Sequence, residues 1–108
     1  MAKHERKPPP LPSFPAGRTP EALVPLLGET VVVDIDAHML YLGKLEYADD
    51  AFLALSEVDV HEDKAEALSK EAYVHEARNI GVRANRHLTW VRMARVVSIS
   101  RLADIKNF

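Results

Sequence analysis

The sequence contains no cysteine. That excludes a disulfide framework, a thiolate metal site and a cysteine nucleophile. Glycine is scarce, four in 108 residues. None belongs to the G-x-x-x-x-G-K-[ST] loop that cradles phosphates or to the G-x-S-x-G elbow of a serine hydrolase. Aromatic residues are few, with one Trp, three Tyr and three Phe, so stacking platforms are limited. No apolar run approaches the roughly 18 residues of a membrane-spanning helix. The start, MAKHERKPPP, is basic, but no apolar segment follows it as a secretory signal requires. The expectation is a cytoplasmic protein without membrane contact. His61-Glu62-Asp63 and His75-Glu76 hold metal-ligating residue types. Neither contains a two-His i,i+4 pair with a third ligand, so no metal site is assigned. Asp49-Asp50 has the character of turn chemistry rather than of an acid–base pair. With no catalytic or cofactor motif, a non-enzymatic role without a cofactor is expected.

What is present begins with the charge distribution. The net charge is −2. Residues 21–68 carry twelve acidic residues against Lys44 and Lys64, a net of −10. Residues 69–108 carry eight basic residues against Glu71, Glu76 and Asp104, a net of +5. The first 20 residues carry four basic residues against Glu5, a net of +3. Such asymmetry suits a basic face for a polyanion, or complementary faces in a self-assembly, and equally a solvated mixed surface.

Five of the seven prolines fall within residues 1–19. Proline donates no backbone hydrogen bond, and the segment lacks apolar periodicity, so residues 1–18 are expected to form a flexible, extended arm. Arg6-x-x-Pro9-x-x-Pro12 matches a polyproline-ligand pattern, though a plain arm is the commoner use of such a segment. Thr19-Pro20-Glu21 has the signature of a helix start, with Thr19 as N-cap and Pro20 at the first position. Leu23, Leu26 and Leu27 supply an apolar face, Pro25 limits the helix to about two turns, and Gly28 stops it. A short helix over residues 20–27, capping one end of a sheet, is expected.

The central stretch, residues 30–55, carries β-branched and aromatic residues broken by acidic or small ones, the pattern of three antiparallel strands. The first spans residues 30–36, with Val31, Val33 and Ile35 on one face. The second spans about 39–47, with Met39, Tyr41, Gly43, Leu45 and Tyr47 on one face and Leu40 and Leu42 on the other. Gly43 marks a sharp bend. Residues 48–50 turn into a third strand over about 51–58. Residues 58–68 read as a polar loop. Ser69 offers an N-cap for a helix over about 70–79, with Tyr73, Ala77 and Ile80 on one stripe and Gly81 as the stop; a strand over 72–76 is the alternative. Residues 87–93 and 95–100 are two short strands broken at Ala94, and residues 101–108 form a tail with room for one helical turn. Five strands with a small helix in front suit a small, strongly bent, partly open antiparallel barrel.

These residues resemble the Sm/LSm family. Leu26-Leu27-Gly28, Val31-Val32-Val33, Tyr41, Gly43-x-Leu45 and Asp49 fall at the spacing of the family's first motif. Residues 91–99, VRMARVVSI, resemble its shorter second motif. The resemblance covers about residues 20–100. It implies a mainly β, Sm-like (SH3-like) barrel over residues 19–108, with an insertion at about 61–86 before strand four. It also implies assembly into a homo-oligomeric ring and RNA binding. In the family a uridine is held by a stacking ring, an Asn and an Arg, and an Asp orders the loop. Arg92 matches the Arg and Asp49 the Asp, but the stacker position is Ala51, the Asn position is Leu53, and Met93 follows the Arg where the family has Gly. A base stack is worth about 1–3 kcal/mol, so base preference is expected to be weak. The basic group Arg78, Arg83, Arg86, His87, Arg92 and Arg95, with Asn79 and Asn85 among them, is the candidate phosphate-binding site. The alternative is a ring that serves as a protein scaffold and leaves the degenerate pocket unused. Trp90, on an alternating strand, reads as core or subunit interface rather than as a base stacker.

Overall fold

A computed structural model describes residues 9–62 and 69–106. Arg6 of the polyproline pattern and residues 63–68 of the expected loop lie outside the described residues.

Five antiparallel strands form one sheet: β1 (Thr30–Ile35), β2 (Met39–Ala48), β3 (Phe52–Glu62), β4 (Arg86–Arg92) and β5 (Val96–Arg101). Their order across the sheet is β4-β3-β2-β1-β5, and β4 and β5 are its two open edges. The strand count and the β1–β2–β3 meander follow the hydrophobic pattern of residues 30–55. The sequence ended the third strand at about 58, whereas β3 runs to Glu62, because Asp59–Glu62 remain paired with Met39–Leu42. The polar character of VDVHE reflects a strand end with little burial, not a loop.

The sheet is covered on both faces. One core holds Val31, Val33, Ile35, Leu45, Ala48, Leu53, Leu55, Val58 and Val91. Val96 and Ile99 of β5 pack on this cluster together with Val91 of β4, so the sheet curls until both edges reach one core. The second core joins Val32, Leu40 and Leu42 to Val74 and Ala77 of helix α1 (Lys70–Ile80). Leu40 and Leu42 are buried, and each contributes about 1.5–3 kcal/mol relative to an exposed position.

Helix α1 starts as its sequence indicates. The Ser69 hydroxyl accepts from the Ala72 N–H at 3.2 Å, and the Gly81 N–H closes the helix on the Ala77 carbonyl. Its buried stripe is Val74 and Ala77, flanked by Tyr73, rather than one reaching Ile80, which is 68% exposed. Lys70 Nζ ties the first turn to the sheet through Asp34 Oδ1 at 2.6 Å and the Ala37 carbonyl at 3.0 Å. The Tyr73 hydroxyl donates to Asp59, and the His61 ring stacks on the Tyr73 ring at 4.0 Å. Burial, then the bond to Asp59, raises the Tyr73 phenol well above its ordinary pKa.

The helix before β1 is a 3-10 helix, Glu21–Leu26, preceded by Pro20 and without a side-chain cap. Pro25 lacks the N–H that an α-helical turn would use there, which leaves the tighter, shorter winding. Leu23 and Leu26 still pack on the first core. Short 3-10 turns also form at Met93–Arg95, between β4 and β5, and at Leu102–Asp104 in the tail. Among the described residues no helix is long and apolar enough to cross a membrane.

Two register shifts shape β2 and β3. Leu42 faces Asp59 and Lys44 faces Ser56, so Gly43 stands opposite two residues, Glu57 and Val58. Glu57 has φ +47°, the left-handed backbone that such a bulge demands. A Cβ on Gly43 would lie 2.9 Å from the Ser56 carbonyl oxygen and 3.1 Å from Val58 Cγ2. The bend expected at Gly43 is thus a close backbone approach. Two residues on, Leu45 faces Leu55 but Tyr47 faces Ala54, which makes Glu46 the extra residue of a second bulge. This bulge sends Tyr47 to the outer face, where the strict alternation of the sequence had placed it beside Leu45. Gly43→Ala is expected to destabilise the fold by about 1–3 kcal/mol, the usual cost of forcing atoms into a packed site; chemical denaturation of both proteins measures it.

Candidate nucleic-acid interface

The β2–β3 turn is built by one carboxylate. Asp49 Oδ1 accepts from the Ala51 and Phe52 N–H groups, each at 2.7 Å, and Oδ2 accepts from the Tyr47 hydroxyl at 2.6 Å. The Asp49 N–H in turn donates to the Phe52 carbonyl at 2.9 Å. An Asp that bonds backbone N–H groups two and three residues ahead is a standard way to hold a tight turn. The Tyr47 hydroxyl and the two amides hold the Asp49 carboxyl below its usual pKa, and the same bond raises Tyr47.

Arg92, the last residue of β4, stands opposite Phe52 in register. It is exposed and lines, with Asp50, Ala51, Phe52 and Ala94, a shallow recess of about 320 Å³. The Met93 N–H donates to the Ala51 carbonyl at 2.8 Å, which fastens the end of β4 to the Asp49 turn. Asp49 and Arg92 therefore belong to one local structure. Leu53, at the position of the family's Asn, is wholly buried in the first core, and Ala51 is exposed on the turn.

The other basic residues do not converge on Arg92. Arg86 lies at the opposite end of β4, six residues away, or about 20 Å at the usual strand rise. Arg95 pairs with Asp36 at the end of β1, and the Asp36 N–H donates to the Arg95 carbonyl at 3.0 Å. Arg78, in the last turn of α1, lines a recess with Glu29, Arg101 and Leu102. Arg83 lies beside Asp59, Tyr73 and Glu76. The charge run in the sequence is thus dispersed, because it crosses helix α1, the loop after it, strand β4 and the following 3-10 turn. Asn85, considered for polar ligand contacts, instead joins its loop to β3. Its side chain accepts from the Val60 N–H at 3.2 Å and donates to Asp59 at 3.1 Å. His87 faces Glu57 at 3.4 Å, across the Gly43 bulge.

One group escaped the sequence reading altogether. Phe14 of the arm stacks on Tyr47, with centroids 5.5 Å apart and planes 12° apart, and meets Trp90 edge-on at 5.7 Å. Trp90 also touches Tyr47 and Phe52 edge-on, at 6.0 and 6.2 Å. Tyr47, Ala54 and Trp90 form one cross-strand row on the outer face. The β2 bulge that creates this row leaves no mark in the alternation of residues 39–48, so no signal in the sequence placed these rings together.

No protein-family model matches the chain, and no curated protein matches it.

The lowered pKa of Asp49 fixes the sign of one pH effect. Its contribution to stability is complete above the unfolded-state value, about 3.9, and is lost as pH falls through the lower folded-state value. Asp49→Asn should therefore show a shallower loss of stability below about pH 4 than the parent protein, measured as thermal midpoints across that range.

Proposed function

We propose that this chain is a divergent Sm-like protein that assembles into a ring and binds RNA mainly through phosphates, with low base specificity. The observation that carries the reading is Arg92, exposed at the end of an edge strand and fastened to the turn that Asp49 orders. Arg suits phosphate contact because its planar, permanently charged fork presents several donors at once. The strand order, the curl that brings both edges onto one core, and the Gly43 bend support a strongly bent, partly open barrel.

The edges support self-association. Among the described residues β4 and β5 each present an unpaired side, and β5 carries Val97 at 65% exposure with no Pro or Lys to discourage pairing. A head-to-tail contact of β4 on one protomer with β5 on the next closes into a ring at the right rotation. Repetition around the ring would gather one Arg92 per protomer into a single anion-attracting locus. Ala51 offers no ring and Leu53 no polar group, so binding rests on charge. A second reading, a ring used as a protein scaffold, is favoured by the dispersal of the other arginines and by the pairing of Arg95 with Asp36.

Titration with oligo-U and oligo-A at two salt concentrations separates the two. RNA binding predicts similar affinities for both, a strong loss with salt, and an equal weakening of both by Arg92→Ala. Each lost phosphate contact should reduce the logarithmic salt slope by about 0.7 for single strands. Failure to bind at low salt overturns the RNA reading and leaves the scaffold. Tight, selective binding of oligo-U overturns the reading of the pocket. Light scattering at micromolar concentration should give the mass of a closed oligomer; a stable monomer overturns the ring.

A further inference from the structure

Tyr47 poses a question that neither reading answers. It belongs to neither core, yet it is only 7% exposed. Its cover comes from the arm. The Phe14 ring lies flat on it, and Gly17 lies close against its hydroxyl, which itself donates to Asp49. The fit is close at both contacts. A Cβ on Gly17 would fall 2.1 Å from the Tyr47 hydroxyl, so a side chain here must displace the arm or the ring.

The cradle extends beyond Phe14. Trp90 is 42% and Phe52 37% exposed with the arm in place. The turn beside the rings carries Asp49 and Asp50, and the arm continues into Arg18. Adjacent aromatic rings next to carboxylates suit a basic, proline-rich segment, because Pro presents a rigid apolar surface and has little backbone freedom to lose. Pro12 and Pro15 flank Phe14 at close spacing.

We propose that the outer face of β2, β3 and β4 is a binding site for a proline-flanked aromatic peptide segment, and that the chain's own arm fills it in cis. The site is Tyr47, Trp90 and Phe52, with the Tyr47 hydroxyl as its polar anchor. The seated residues are Phe14, the anchoring ring, and Gly17 against the Tyr47 hydroxyl. The arm is thereby a built-in ligand, exchangeable for the same segment supplied in trans. This goes beyond RNA binding and depends neither on it nor on ring formation.

Trp90 is the sole tryptophan and touches Phe14, so its fluorescence reports the seat directly. In the full chain, Phe14→Ala should red-shift Trp90 emission and increase its quenching by acrylamide. Gly17→Ala should do the same by collision with the Tyr47 hydroxyl. Both changes lie in the arm, and unchanged far-ultraviolet circular dichroism verifies the fold. A synthetic peptide of residues 9–19 should then restore the parent-like emission of the Phe14→Ala protein in a saturable way. The same peptide carrying Phe14→Ala should not restore it, and the parent protein, its site already filled, should respond to neither. Unchanged Trp90 quenching in both variants overturns the seat. Failure of the peptide to restore emission, or equal restoration by a scrambled peptide, overturns the recognition site.

Discussion

The close approach of the Ser56 carbonyl to Gly43 is the constraint on which the rest of the structure depends. It is possible only without a Cβ at 43, and it requires Glu57 to take left-handed backbone on the other strand. The bend it creates lets β2 and β3 serve two cores at once. Before the bend, Leu40 and Leu42 lie under helix α1. Beyond it, Leu45, Ala48, Leu53 and Leu55 close on β1, β4 and β5. A flat pair of strands would present one continuous face to each side and leave one of them wet. The second bulge, at Glu46, follows three residues later and restores the register. Between them the two bulges decide which side chains leave the core, and hence what the outer face can bind.

Much of this was legible from residue order. β-branched runs separated by turn residues located the strands, and the sequence already put Leu40 and Leu42 on the face of the second strand opposite Leu45. Ser69 and Gly81 bounded α1 because capping is local chemistry, settled within a turn of chain. The turn at Asp49 was visible for the same reason. Tyr47 was misplaced because period-two alternation assumes an unbroken register, and a single extra residue inverts it. The end of β3 was misplaced because composition reports burial, and a strand whose ends are solvated resembles a loop. The reach of α1's buried stripe was misjudged at Ile80, where the helix has already passed beyond the sheet it covers.

The spread of the arginines has a similar origin. Nearness in sequence implies nearness in space only within one element. Residues 78–95 cross a helix, a loop, a strand and a 3-10 turn, so their charges separate. Arg92 keeps company with Asp49 because β4 pairs with the start of β3, a contact made by chain segments some 40 residues apart. That the Asp49 turn and the end of β4 share a backbone bond, Met93 to Ala51, ties the position of the guanidinium to the geometry of the turn.

Phe52 links the two surfaces of this face. It stands in register with Arg92 and lines the recess beside it, while its ring meets Trp90 edge-on. The aromatic cradle and the recess beside Arg92 therefore share one wall. Asp49 supports both, through the Phe52 N–H on one side and the Tyr47 hydroxyl on the other. The place of the Phe52 ring is thus set from two sides, by its edge contact with Trp90 and by the backbone pairing of its own residue with Arg92.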